Sequence, residues 1–139
     1  MNKNPAIPAG DLDHLSIAVP DLKAAAEFYR DTFGCEVSDP IDLPERNMRI
    51  VYVTLANTKI ELMEPTDSSS TLAKFIERNP DGGLHHICLT TPDVDIAAEQ
   101  ATAEKLRVIG KGTSHHGRAL FFLHPKDALG TLIEIEEEN

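Results

Sequence analysis

The segment LDHLSIAVPDL, Leu12 to Leu22, recurs as LHHICLTTPDV, Leu84 to Val94. His14 matches His86, Pro20 matches Pro92, Asp21 matches Asp93 and Leu22 matches Val94, all at a constant offset of 72 positions. Each copy reads as a polar start, an alternating strand, a Pro-Asp turn and a helix. A chain written twice in this way must fold as two copies of one unit, and those copies bury their apolar faces by the same rule.

Periodicity fills in the unit. Leu15, Ile17 and Val19 alternate with His14, Ser16 and Ala18, which is the period of a strand. Pro20-Asp21 ends that strand and caps the next element. Leu22, Ala25, Ala26, Tyr29 and Phe33 then form one helical stripe, and Gly34 stops the helix. Cys35 to Ile41 reads as a strand, and Pro40, Pro44 and the polar Glu45-Arg46-Asn47 as a loop. Met48–Leu55 and Lys59–Glu64 read as a hairpin around Ala56-Asn57. In the connector, a serine from Ser68–Ser70 caps a short helix over Thr71–Arg78, which exits through Asn79–Gly83.

The second copy follows the same order. A strand is expected over His85–Thr91, then a helix with Val94, Ala97, Ala98 and Ala101 on one stripe, then a weak strand near Val108. Arg118–Leu123 and Thr131–Glu136 pair around the turn PKDALG. Residues 1–11 read as a loose tail, and the acidic end EIEEEN as a solvated tail beyond Glu134. The expected fold class is α+β, one domain of 139 residues built as two tandem βαβββ modules. The modules span 12–64 and 84–136, with a connector over 65–83.

Composition narrows the function classes. A net charge of −10 argues against a general nucleic-acid partner, although a few local Lys or Arg residues could still serve an anionic small molecule. No apolar run approaches the roughly 20 residues that span a bilayer, so no membrane partner is expected. MNKNPAIPAG has no apolar core of a secretory signal. Cys35 and Cys88 do not make a disulfide framework, and a cytoplasmic location fits.

Register places the chemistry. Each first strand carries its histidine on a face of small residues, Ser16 and Ala18 in one copy, Cys88 and Thr90 in the other. Bulky faces pack on helices, so His14 and His86 are expected to point into a shared hollow and His85 the other way. The last strands also match: TKIEL, Thr58 to Leu62, resembles TLIEI, Thr131 to Ile135. Glu61 and Glu134 are equivalent at an offset of 73. A glutamate between apolar residues is often just the wet side of an amphipathic strand, and a strand histidine is often a hydrogen-bonded surface residue. Four such residues at repeat-related positions are not explained that way. Two imidazoles and two carboxylates suit a divalent Zn, Co, Ni, Mn or Fe. His115-His116-Gly117-Arg118 could be read as a second metal site and reads better as a loop before a strand, with Gly117 and Arg118 near a substrate. His124-Pro125-Lys126-Asp127 reads as a turn in which Lys126 meets an anionic part of a ligand.

Five stretches carry a resemblance: DHLSIAVPDLKAAAEFYRDTFG, LPE at Leu43–Glu45, TKIELMEP, GGLHHICLTTPDV and FFLHPKDALGTLIEIE. From Leu12 to Glu136 the chain resembles the vicinal oxygen chelate superfamily and, within it, the methylmalonyl-CoA epimerase branch. The resemblance implies a cupped mixed sheet around one divalent metal ion per chain, Co2+ first, otherwise Zn2+, Ni2+, Mn2+ or Mg2+. The ligands it implies are His14, Glu61, His86 and Glu134. It makes Glu45 an acid/base, with Glu134 as the second base, and it implies a homodimer acting on an acyl-CoA. The reaction would be epimerisation of (2R)- and (2S)-methylmalonyl-CoA through a metal-stabilised enolate. Some members carry Gln where this chain has Glu61, and the resulting His/Glu/His/Glu set is also the glyoxalase I pattern. A glyoxalase I-like lyase acting on a glutathione hemithioacetal therefore stays open, as do a metal-dependent dioxygenase and a metal-free ligand-binding module of the same fold.

Overall fold

Both repeat helices start in the same way. The Asp21 carboxylate accepts the Ala24 N–H at 3.1 Å and the Asp93 carboxylate accepts the Ile96 N–H at 3.0 Å. A second carboxylate closes each first turn: Glu64 Oε1 accepts from Leu22 N and Glu137 Oε1 from Val94 N, both at 3.1 Å. Each cap satisfies an otherwise orphaned helical N–H and is worth about 1 kcal/mol. In the computed structural model, which describes residues 4–139, these helices are α1 (Leu22–Phe33) and α3 (Val94–Ala103). The chain forms two compact units, His14–His85 and His86–Asn139 together with the segment through Asp13.

The first unit is a mixed sheet in the order β2-β4-β5-β1, with β3 on β4. Its strands are β1 (Leu12–Ala18), β2 (Glu36–Val37), β3 (Ile41–Leu43), β4 (Met48–Thr54) and β5 (Lys59–Pro65). β1 runs parallel to β5 and sets Ser16 opposite Glu61, while β4 runs antiparallel to β5 and sets Tyr52 opposite Glu61. Helix α1 covers one face through Leu22 and Ala26 on Val51, Val53, Ile60 and Leu62. Helix α2 (Thr71–Arg78), capped by Ser70, brings Leu72 to Ala18, Leu43, Ile50 and Met63. Fully burying a side chain of this size stabilises by roughly 1.5–3 kcal/mol.

Three expectations change in this unit. The strand expected over Cys35–Ile41 is split into β2 and β3, because Pro40 has no N–H for a ladder. Ser38 takes over locally, donating its N–H to Tyr52 O and accepting the Tyr52 N–H on Oγ, both at 2.9 Å. The loop at Pro44 is a 3-10 turn, Pro44–Arg46, closed by Asn47 at φ 55. Phe33 lies on the helical stripe yet is 62% exposed. Its ring sits 5.6 Å from that of Phe28 and 5.7 Å from that of Tyr29 instead of in the core.

The second unit repeats the plan in the order β6-β9-β8-β7. These are β6 (Gly83–Thr91), β7 (Val108–Thr113), β8 (Ala119–Leu123) and β9 (Ile133–Glu137). β6 runs parallel to β9 with Cys88 opposite Glu134, and β8 lies antiparallel to β9 with Phe122 opposite Glu134. The predicted stripe Val94, Ala97, Ala98 and Ala101 packs on Phe121, Leu123 and Ile135. The fold is therefore α+β, with mixed sheets and three α-helices among the described residues. No helix among them is long and apolar enough to cross a membrane.

Among the described residues both terminal segments are held more closely than expected, and residues 1–3 of the expected tail lie outside them. Ile7 packs on the second core, and Gly10 N–H donates to Thr90 O while Asp11 O accepts from Thr90 N. At the other end β9 runs through Glu137, and Glu136 is only 2% exposed rather than solvated. The reason is a cation: Arg118 Nε stands 3.2 Å from Glu136 Oε1.

Asp127 holds the 3-10 turn Pro125–Asp127 to the start of β7. It accepts from Arg107 N at 3.0 Å, Nε at 2.8 Å and Nη2 at 3.2 Å. Those Arg107 hydrogen bonds pull its carboxyl from an ordinary 3.8 down to about 2. The pair therefore stabilises the folded chain fully above about pH 4, and its contribution fades as pH falls through 2. Carbon-13 titration should place Asp127 near 2 in the wild type and return it to the ordinary range in Arg107→Ala. Equal titration in the two proteins would show that the pair does not persist in solution.

Candidate functional site

In the first unit, adjacent parallel strands bring His14 and Glu61 together. His14 is buried, and its Nε2 lies 3.8 Å from Glu61 Oε1. The Glu61 carboxylate is held from both neighbouring strands. Ser16 Oγ donates to Oε1 at 2.7 Å, and Tyr52 OH donates to Oε2 at 3.4 Å. Lys59 Nζ stands 5.8 Å over the Tyr52 ring.

In the second unit His86 and Glu134 form the equivalent pair, with Nε2 and Oε1 3.0 Å apart and both residues buried. The Phe122 ring meets the His86 ring edge-on at 5.4 Å. Behind this pair is a charge network that sequence reading missed. Cys88 Sγ donates to Glu136 Oε2 at 3.6 Å, and Arg118 reaches Glu136 at 3.2 Å and Asp13 at 3.8 Å. Burial first, and then the Glu134 charge, raise the Glu136 carboxyl, and Arg118 opposes them. Arg118 is thus committed to two carboxylates. Ser114 shapes the turn that delivers it, accepting the His116 and Arg118 N–H groups on Oγ at 3.2 and 3.1 Å. Gly117 completes the turn at φ 84, which a side chain would strain. The signal for Ser114 was present in the run Ser114–Arg118 as a polar turn with a glycine before a strand.

The remaining residues fall as follows. His85 leaves the pair to His86 and sets its ring 5.0 Å from Phe75 of α2. Glu45 lies exposed on the 3-10 turn Pro44–Arg46. Lys126 is exposed on the turn after β8, where its N–H donates to His124 Nδ1 at 3.1 Å.

The donor chemistry of each pair fits a divalent metal ion. Each supplies one imidazole nitrogen and one carboxylate oxygen, and those of His14 and Glu61 lie within 4.8 Å of each other. Two donors each about 2.1 Å from one ion stand roughly 3–3.4 Å apart. The 3.0 Å of His86 and Glu134 meets that spacing, and the 3.8 Å of His14 and Glu61 exceeds it by a few tenths of an ångström.

A family model described as the glyoxalase/bleomycin resistance protein/dioxygenase superfamily matches residues 13–122. An ethylmalonyl-CoA/methylmalonyl-CoA epimerase of Cereibacter sphaeroides is 46% identical over 131 residues, covering 92% of this chain and 98% of that protein. The crystal structure of methylmalonyl-CoA epimerase from Mycobacterium tuberculosis matches with a TM-score of 0.85 at 28% identity, over 100% of this chain and 93% of that one. A methylmalonyl-CoA epimerase solved in complex with methylmalonyl-CoA and NH4+ matches with a TM-score of 0.85 at 32% identity, over 94% and 96% of the two chains.

Proposed function

The chain belongs to the glyoxalase/bleomycin resistance protein/dioxygenase superfamily, in its methylmalonyl-CoA epimerase family, and we propose on that premise that it interconverts (2R)- and (2S)-methylmalonyl-CoA. The observation that carries the reading is the pair of buried His/Glu couples at repeat-related positions. We assign His14, Glu61, His86 and Glu134 as ligands of one divalent ion per chain, with Co2+ first and Zn2+, Ni2+, Mn2+ or Mg2+ as alternatives. An ion held there would supply Lewis-acid stabilisation of the negative charge that develops on the substrate.

The residues then have a defined task. The α-hydrogen of methylmalonyl-CoA sits between a thioester and a carboxylate, and its removal leaves a planar, delocalised anion. Inversion needs a proton taken from one face and returned on the other. Glu45 is assigned to one face and Glu134 to the other, each a carboxylate able to hold the proton it removes. Lys126 is assigned to an anionic part of the CoA ester and Gly117 to the substrate side of its turn. Arg118, held by Asp13 and Glu136, is assigned to the substrate together with Gly117. A homodimer and a cytoplasmic setting complete the proposal.

A single stereoisomer of methylmalonyl-CoA incubated with the protein in D2O should become a mixture of both, with deuterium at the α-carbon by proton NMR. Chelation should abolish the conversion, and added Co2+ should restore it. Glu61 makes the set His/Glu/His/Glu, so the methylglyoxal–glutathione adduct is the control substrate. Turnover of that adduct with the CoA ester untouched would replace this reading with the glyoxalase one.

A further inference from the structure

We propose that Ser16 and Tyr52 are positioning residues that clamp Glu61 as the fixed carboxylate ligand; this rests on the reading of Glu61 as a ligand. Glu61 is on β5, between β1 and β4, and each neighbour places a hydroxyl directly opposite it. Ser16 is 0% exposed and donates to Oε1 at 2.7 Å, while Tyr52 donates to Oε2 at 3.4 Å. A carboxylate offers about four lone-pair sites over its two oxygens. Ser16 takes one on Oε1, the oxygen nearest His14 Nε2, and leaves the second for an ion. Tyr52 holds the far oxygen, so the carboxylate cannot turn about its last bond without breaking a hydrogen bond. Outer partners of this kind fix ligand orientation before the ion arrives.

The repeat shows that the clamp belongs to one module. In the second unit the residues opposite Glu134 are Cys88 and Phe122. A thiol is a weak donor, and that of Cys88 is directed to Glu136. Phenylalanine offers no hydroxyl at all. The two hydroxyls are therefore not a requirement of the strand geometry, which both units share. They are specific to the carboxylate at Glu61.

The test measures Co2+ affinity by competition with a chromophoric chelator, together with the visible absorption of the bound Co2+, in the full chain. Ser16→Ala should weaken Co2+ binding by roughly 10–100-fold and alter the visible bands. Tyr52→Phe should act in the same direction but less, since its hydrogen bond is longer. Ser16→Thr, which keeps the hydroxyl, should restore most of the affinity. Ser16→Cys, which writes in the residue of the other repeat, should resemble Ser16→Ala and serves as the second variant if alanine does not fold. Wild-type Co2+ affinity and bands in Ser16→Ala or Ser16→Cys, with binding lost in Glu61→Ala, would overturn the clamp and keep Glu61 as a ligand. Wild-type affinity in Glu61→Ala would overturn the ligand assignment itself.

Discussion

His86→Ala is expected to lose Co2+ or Zn2+ affinity by more than about 100-fold, the upper end of what loss of an outer partner costs, whereas its sequence neighbour His85→Ala should bind as the wild type does. The two side chains are adjacent in sequence and opposite in consequence. His86 Nε2 is 3.0 Å from Glu134 Oε1. Removing it deletes a nitrogen donor and leaves a buried carboxylate without that partner, which also costs stability. His85 sits against Phe75, 5.0 Å between rings. Its replacement removes an aromatic contact worth on the order of 0.5–1.5 kcal/mol and should lower the melting temperature slightly without touching the donors. Competition titration on both variants, with far-UV circular dichroism to show that each is folded, separates the two effects. Tight binding by His86→Ala and weak binding by His85→Ala would invert the strand register on which the whole site rests.

That register was readable because it rests on the period of a strand and on a repeat. His14 and His86 share faces with Ser16 and Cys88, and a one-residue slip would have moved every one of them. Glu61 and Glu134 were legible for the same reason, as were the caps Asp21 and Asp93. Local rules failed where a distant partner decides. Glu136 looks like part of an acidic tail until Arg118, eighteen residues earlier in the chain, is brought beside it. Phe33 satisfies the helical stripe and still stays outside the core, because periodicity states a direction and not what lies there. Ser16 was visible only as a small residue. Its use of the hydroxyl depends on a parallel pairing with β5, and a sequence does not show which strands are neighbours. Glu45 differs again, since nothing local to an exposed turn distinguishes a catalytic carboxylate from a solvated one, and its assignment comes from resemblance.

Glu45→Gln is expected to lose epimerisation by roughly 10²–10⁴-fold, the usual contribution of one acid/base residue, and yet to keep exchanging the α-proton of one stereoisomer. Inversion at a single carbon needs two proton carriers, and exchange without inversion needs one. With Glu45 neutralised, the face assigned to Glu134 should still lose and regain a proton, and in D2O that proton should return as deuterium with configuration kept. Glu134→Gln should behave differently. On the proposed assignments it removes a base and also a metal donor beside His86, so it should lower metal affinity together with rate. The two variants can therefore be told apart even where both are slow, provided metal content is measured on the same samples. The comparison needs each pure stereoisomer tested separately, since the exchanging face identifies the surviving base. If Glu45→Gln epimerises at near the wild-type rate, Glu45 leaves the mechanism. The second proton carrier would then be sought in a bound water or at His116, which lies on the turn that Ser114 organises.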